Sequence, residues 1–178
     1  MIYNFRVISN EVDDFIFEIA IDSKVRFVDL HSFIQKELSF DSSQITSFFI
    51  TDADWNKEIE ITLLDMMEES DWHKVMDQVS LEDLLSQTRQ RLLYTFDVFA
   101  DRVLFMELTA MEEGNLQKPV CLRKEGTPPA AVADDDFKLP EGLNEEFNSE
   151  GIEEDDLSWG DENQDDYFGE EPDDSDYY

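Results

Sequence analysis

The chain has one cysteine, two histidines, six glycines and five prolines among 178 residues, and only 13 lysines and arginines against 45 aspartates and glutamates. A lone Cys121 cannot close an internal disulfide, so nothing in the sequence depends on an oxidising compartment. No pair drawn from His31, His73 and Cys121 has ligand spacing such as Cys-x2-Cys or His-x3-His, so no metal is expected, and no motif calls for a cofactor. No apolar run approaches the ~18 residues that a membrane-spanning helix needs. The opening Met1-Ile2-Tyr3-Asn4-Phe5-Arg6 enters strand-like alternation without the basic and apolar regions of a signal peptide, and the expected location is the cytoplasm. The shortage of bases has the largest consequence. At a net charge of −32 and a pI near 4.1 the chain repels phosphate and anionic lipid, because affinity for nucleic acid depends on Lys and Arg displacing counterions. Neither direct nucleic-acid contact nor membrane contact is expected.

What is present divides at about residue 133. Residues 134–178 hold twenty Asp or Glu and one Lys, with Leu, Phe, Trp and Tyr spaced through the run. Too few apolar residues remain there to offset the entropy of ordering so much like charge, and this segment is expected to be a disordered acidic tail. Residues 1–133 have the composition of one ordinary folded domain, long enough to bury about two thirds of the surface its unfolded chain exposes.

Residues 2–8 and 15–21 are rich in β-branched and aromatic side chains around a polar break at 10–14, which predicts a hairpin. From Phe27 the period changes to helical, with Phe27, Leu30, Ile34 and Leu38 on one face, Asp29 early and Lys36 late, predicting a helix over 28–38. Strands are predicted at 46–51 and 58–63. Residues 64–79 lack a clean period and read as a covering segment with partial helix. Ser80 with Asp83 three positions on has the form of a capping box and starts a short helix. A second hairpin follows over 91–96 and 103–109, around Asp97-Val98-Phe99-Ala100-Asp101. After Met111 the glycines and prolines predict extended peptide outside any ladder. The order β-β-α-β-β-α-β-β with mostly antiparallel neighbours is an α+β fold with helices packed on one face of a sheet.

Several short stretches, in order, resemble the plasmid pRiA4b ORF-3-like family over about residues 2–133. Asp29-Leu30-His31 meets an acid-Leu-His pattern, followed by Ile34-Gln35 and Phe40-Asp41. Val79 to Leu85 resembles a Leu-rich helix start. Tyr94-Thr95-Phe96-Asp97 meets the first half of Tyr-x-Tyr-Asp-Phe-Gly-Asp-Gly-Trp, while Val98 to Arg102 lacks the glycines and Trp of the second half. Pro119-Val120-Cys121-Leu122 and Gly126-Thr127-Pro128-Pro129 meet the closing element, but Ala130 to Asp134 replaces the acidic, Gly-rich run that follows it in the family. The resemblance implies helices covering a curved, mostly antiparallel sheet, and no established reaction. Its members often carry a resolvase-like label as insertion-element passengers. That chemistry would need a basic DNA-binding module, which this chain lacks.

The candidate residues form two sets. His31, on the apolar helix face, could act as a general base if Asp97 reached it, with Tyr94 orienting a ligand. Against this, a histidine there is more often a core residue bonded to a backbone carbonyl, Tyr94 a core aromatic, and Asp97 a turn initiator. Cys121, between Val120 and Leu122, fits a small hydrophobe better than a nucleophile. In the tail, Asp161 to Asp166 starts like a calcium loop, but Asp166 stands where the loop needs Gly and Pro172 where it needs Glu. Leu157, Trp159, Tyr167 and Phe168 instead stand among carboxylates that keep them solvated, the composition of a strip that docks on a basic protein and orders on binding. The expected function is therefore a non-catalytic binding or adaptor protein with a basic protein partner. The alternative is an enzyme acting through His31, Tyr94 and Asp97.

Overall fold

The structure, a computed structural model, describes residues 1–65 and 72–131. Eight strands form one mixed sheet: β1 Ile2–Ser9, β2 Ile16–Asp22, β3 Ser47–Thr51, β4 Lys57–Thr62, β5 His73–Val75, β6 Arg91–Asp97, β7 Arg102–Glu112 and β8 Val120–Glu125. Two helices, α1 Phe27–Leu38 and α2 Leu81–Leu84, complete it, and the class is α+β. Strand order across the sheet is β5-β4-β3-β6-β7-β1-β2-β8. Every neighbouring pair is antiparallel except β4 and β5.

Both predicted hairpins are present as β1–β2 and β6–β7, and the first helix begins one residue earlier than its period indicates. Two expectations meet a different arrangement in the described residues. Within residues 64–79 the described part contains no helix; His73, Lys74 and Val75 pair in parallel with Glu60, Ile61 and Thr62. Met66 and Met67 lie outside the described residues. Beyond Met111 the chain does rejoin the ladder, since β8 pairs antiparallel with β2 from Ile16↔Glu125 to Ala20↔Val120.

Register sorts the side chains into two faces, because directly paired residues point the same way. On one face Ile59, Ile50, Leu92, Met106, Val7 and Phe17 follow one another across consecutive strands. Ile61, Phe48, Tyr94 and Leu104 make a parallel row beside them. Helix α1 lies on this face. Its Phe27 ring meets Phe48 edge-on at 5.4 Å, and Phe33 stacks on Phe17 at 6.2 Å. Phe27, Leu30, Ile34 and Leu38 are all buried. Each such side chain contributes roughly 1.5–3 kcal/mol by leaving water, which is far more than the helix's intrinsic propensity supplies.

The ends of α1 are closed by the rest of the fold. Its first amides, which have no partner inside the helix, donate to the carbonyls of distant residues: Phe27 to Val79 at 3.2 Å and Val28 to Met76 at 3.1 Å. Ser39 adopts a left-handed conformation (φ 58°) and returns its amide to the Gln35 carbonyl, ending the helix. Helix α2 starts as expected, with the Asp83 carboxylate accepting from the Ser80 amide at 2.7 Å and from its hydroxyl at 2.6 Å. The Tyr3 hydroxyl donates to the Leu85 carbonyl at 2.7 Å and ties the end of α2 to β1, on the same face as α1.

The opposite face is patterned differently. Arg91, Glu107, Arg6, Glu18 and Arg123 stand directly opposed on β6, β7, β1, β2 and β8, a ladder of alternating charge. Beside it runs an apolar row, Phe49, Leu93, Phe105, Ile8 and Ile16. Among the described residues no helix is long and apolar enough to cross a membrane.

Candidate functional site

Of the segments that carry the family resemblance, Phe40, the end of β6 and the exit from β8 lie toward one end of the sheet, whereas Val79 to Leu85 and Val120 to Leu122 lie toward the other. Helix α1 brings His31 to the inner face and β6 brings Tyr94; Nδ1 of His31 lies 2.9 Å from the Tyr94 hydroxyl. Thr46, at the entry to β3, places its Oγ1 3.3 Å from the same Nδ1. With Nδ1 unprotonated, the Tyr94 hydroxyl donates to it, and that tautomer keeps its proton on Nε2. The ring of Phe48 packs on Tyr94 at 4.8 Å. Tyr94 is fully buried and His31 is 3% exposed.

Burial sets the electrostatics. It pushes the Tyr94 phenol well above its ordinary range, and it pushes His31 below the ordinary histidine value of 6.5. Both side chains are therefore neutral at pH 7. A Tyr–His pair of this kind can pass a proton along its hydrogen bond, but both groups are closed from water.

Asp97 is held in the hairpin turn. The β6–β7 register shifts between Thr95 and Asp97, and Asp97 then pairs with Arg102 where β6 ends. Its Oδ1 accepts from the Ala100 amide at 3.1 Å, as a turn-initiating aspartate does. The structure thus joins His31 to Tyr94 and leaves Asp97 in its turn. His31 is bonded to side chains, not to the backbone carbonyl expected of a core histidine.

Further contacts stitch the neighbouring segments together. Arg102 donates to both carboxylate oxygens of Glu11 at 2.9 and 2.7 Å and to the Ala130 carbonyl at 2.9 Å, and its guanidinium lies over the Phe96 ring at 4.8 Å. Phe40 stacks on Phe96, also at 4.8 Å. Gln44 donates to the Ala131 carbonyl at 3.1 Å. Gly126 has φ +73°, and a Cβ there would sit 2.8 Å from the Asp14 carbonyl carbon and 3.1 Å from the Phe15 Cα. Thr46 carries no sequence signal, since a threonine at a strand entry is an ordinary strand former. Arg102 stands where the family pattern has other residues, and only its position beside the altered turn could have marked it.

The remaining candidates are dispersed. Nε2 of His73 lies 2.9 Å from the Thr62 hydroxyl. Cys121 is half-buried opposite Ile19 and packs against the core. Among the described residues no three His, Cys, Asp or Glu side chains are grouped as metal ligands. Leu157, Trp159, Tyr167, Phe168 and the Asp161–Asp166 stretch lie outside the described residues, as does the boundary placed at residue 133.

His31 gives the first prediction. In the folded protein its pKa is lowered, while in the unfolded chain it titrates near 6.5. Stability from the neutral, buried ring is fully present above pH 6.5. It falls as pH drops below 6.5 toward His31's own lower value, because only the unfolded state takes up the proton. Urea unfolding of wild type and His31→Gln, followed from pH 7 to 5, is expected to show wild type losing stability relative to the variant. A constant difference across that window would contradict a neutral buried His31.

Residues 2–139 match the sequence profile described as plasmid pRiA4b ORF-3-like protein. Among solved structures, a protein of unknown function from Methanosarcina mazei Go1 is similar, with a TM-score of 0.55 and 18% identity over 75% of this chain and 72% of that one. At that identity the likeness shows the fold. No curated protein sequence matches.

Proposed function

The chain belongs to the plasmid pRiA4b ORF-3-like family, and from that footing we propose that it is a non-catalytic binding protein, an α+β domain whose acidic, aromatic tail engages a basic protein partner in the cytoplasm. The observation that carries this is compositional: twenty carboxylates and one lysine in residues 134–178, with Leu157, Trp159, Tyr167 and Phe168 interspersed. A disordered strip of this kind gains association rate from its charge and affinity from its aromatic residues when they reach apolar pockets between the partner's bases. Residues 1–133, themselves net acidic, serve as the folded carrier. Supporting the non-catalytic reading, the Asp97 carboxylate is engaged with the Ala100 amide at its turn.

The test compares full-length protein with a full-length variant in which Leu157, Trp159, Tyr167 and Phe168 are serine, each used to capture partners at two salt concentrations. The expected result is a basic partner held by wild type, lost from the variant, and at least tenfold weaker when salt shortens the screening length from about 10 Å to about 3 Å. Capture that is insensitive to ionic strength, or equal for the variant, would overturn the proposal.

The 2.9 Å contact of His31 with Tyr94 favours one alternative, an enzyme acting through these residues with Asp97. That activity requires the His31 ring to exchange protons with solvent. A ring titrating near pH 6.5 in the folded protein, followed by its C–H resonances, would support it.

A further inference from the structure

On the outer face of the sheet, away from the His31–Tyr94 pair, the hairpin loop between β3 and β4 is folded back over the strands. Asp52 closes this loop: its carboxylate accepts from the amides of Asp54 and Asn56 at 2.8 and 2.9 Å and from the Asn56 side chain at 2.7 Å. Trp55, at the turn, is held at φ +67°, a left-handed conformation that a bulky aromatic adopts only when its surroundings impose it. The result places the indole against the sheet. Its ring meets Phe105 edge-on at 4.9 Å, and the Arg91 guanidinium lies over it at 4.9 Å while also donating to the Ala53 carbonyl.

Between this ring and strands β1 and β7 lies a cleft of about 160 Å³, lined by Trp55, Phe105, Ile8, Arg6, Glu107 and Met106. The walls are aromatic and aliphatic, and the polar groups are few and close together. Arg6 and Glu107 are directly opposed on neighbouring strands, one a donor and the other an acceptor. Arg6 bonds Glu18 at 3.0 Å but remains 56% exposed. Glu107 is paired with Arg91 at 3.7 Å, an ion-pair distance longer than a hydrogen bond, so its carboxylate can still accept one.

We propose that this cleft binds a single uncharged, flat nitrogen heterocycle of the nucleobase or nucleoside type. Three features select that class. The volume is about half the lower end of the range for drug-sized ligands, enough for one ring system and too small for a whole dinucleotide cofactor. Trp55 and Phe105 offer the faces and edges on which heteroaromatic rings stack. Arg6 and Glu107 present an adjacent donor and acceptor, complementary to a lactam edge such as C=O beside N–H, with Arg6 donating to the oxygen and Glu107 accepting from the nitrogen. The net charge of −32 disfavours phosphate esters of the same base. The site does not depend on the tail or on the proposed function.

The test is a titration of ¹⁵N-labelled full-length protein with inosine, 1-methylinosine and inosine monophosphate. Inosine is expected to shift the Trp55 indole N–H and the Ile8 and Phe105 amides in a saturable way. 1-Methylinosine, lacking the ring N–H, is expected to bind several-fold more weakly, and the monophosphate more weakly than inosine. Trp55→Ala is expected to weaken inosine binding about tenfold, and Glu107→Ala, which leaves no acceptor at this position, to remove the preference over 1-methylinosine. Absence of saturable shifts at millimolar inosine, or equal binding by Trp55→Ala, would overturn the site. Equal affinity for the two nucleosides would overturn the edge recognition, and tighter binding of the monophosphate would overturn the charge selection.

Discussion

Gly126→Ala is expected to cost about 3 kcal/mol and to lower the midpoint of thermal unfolding by roughly 10 °C. Two effects combine. The residue holds φ +73°, where a side chain is strained even in open space. Space is also lacking, because the atoms facing a new Cβ are the carbonyl of Asp14 and the Cα of Phe15, which are backbone and cannot rotate aside. Relief would require the β1–β2 turn and the end of β8 to separate. Since Phe15 is buried, that movement would open the core as well. Urea or thermal denaturation measures the loss directly, and a midpoint within 2 °C of wild type would mean that the close approach of these segments is not part of the stable fold.

Tyr94→Ala is expected to cost about 4 kcal/mol, the range for removing a fully buried aromatic side chain. Tyr94→Phe isolates the hydroxyl from the ring. It removes the partner 2.9 Å from His31 but keeps the contacts with Phe48, and Thr46 stays 3.3 Å from the same nitrogen. The expected cost is about 1 kcal/mol, the lower end for disturbing a buried hydrogen bond when a second partner remains. Equilibrium unfolding of both variants checks the division. A Phe variant as damaged as the Ala variant would place the stabilisation in the polar pair and not in packing.

The parts of this fold that were legible in the sequence are those whose burial is one-sided and regular. Helix α1 was legible because Phe27, Leu30, Ile34 and Leu38 repeat at helical spacing, and β1 because alternate residues face the core. Strand β8 was not, because it is an edge strand with one neighbour. Only Cys121 of its six residues is even partly buried, so no alternation marks it, and Pro119 and Gly126 at its ends suggest loop. Strand β5 is three residues long and paired in parallel, a partnership decided by distant contacts. At the inner site His31 and Tyr94 could be named from their faces alone, whereas Thr46 could not. The position of Trp55 depends on a left-handed backbone that no residue preference for tryptophan would suggest. Asp52, Asp54 and Asn56 are turn formers, but they do not give the direction in which the turn folds.

Strand order also governs when the protein can fold. The middle of the sheet joins β1 to β7, with Ser9 opposite Leu104 and Ile2 opposite Glu112, so two adjacent strands come from opposite ends of the domain. Few of the central contacts are local, which places folding in the millisecond-to-second range and not among the fast helical domains. During synthesis at ~5–20 residues per second, the β1–β2 hairpin waits roughly 5–20 s for its neighbour, with Phe5, Val7, Phe17 and Ile19 in place and nothing yet to cover them but α1. Formation of the sheet as a whole therefore depends on a late event, the arrival of β7, which closes β1 on one side and β6 on the other.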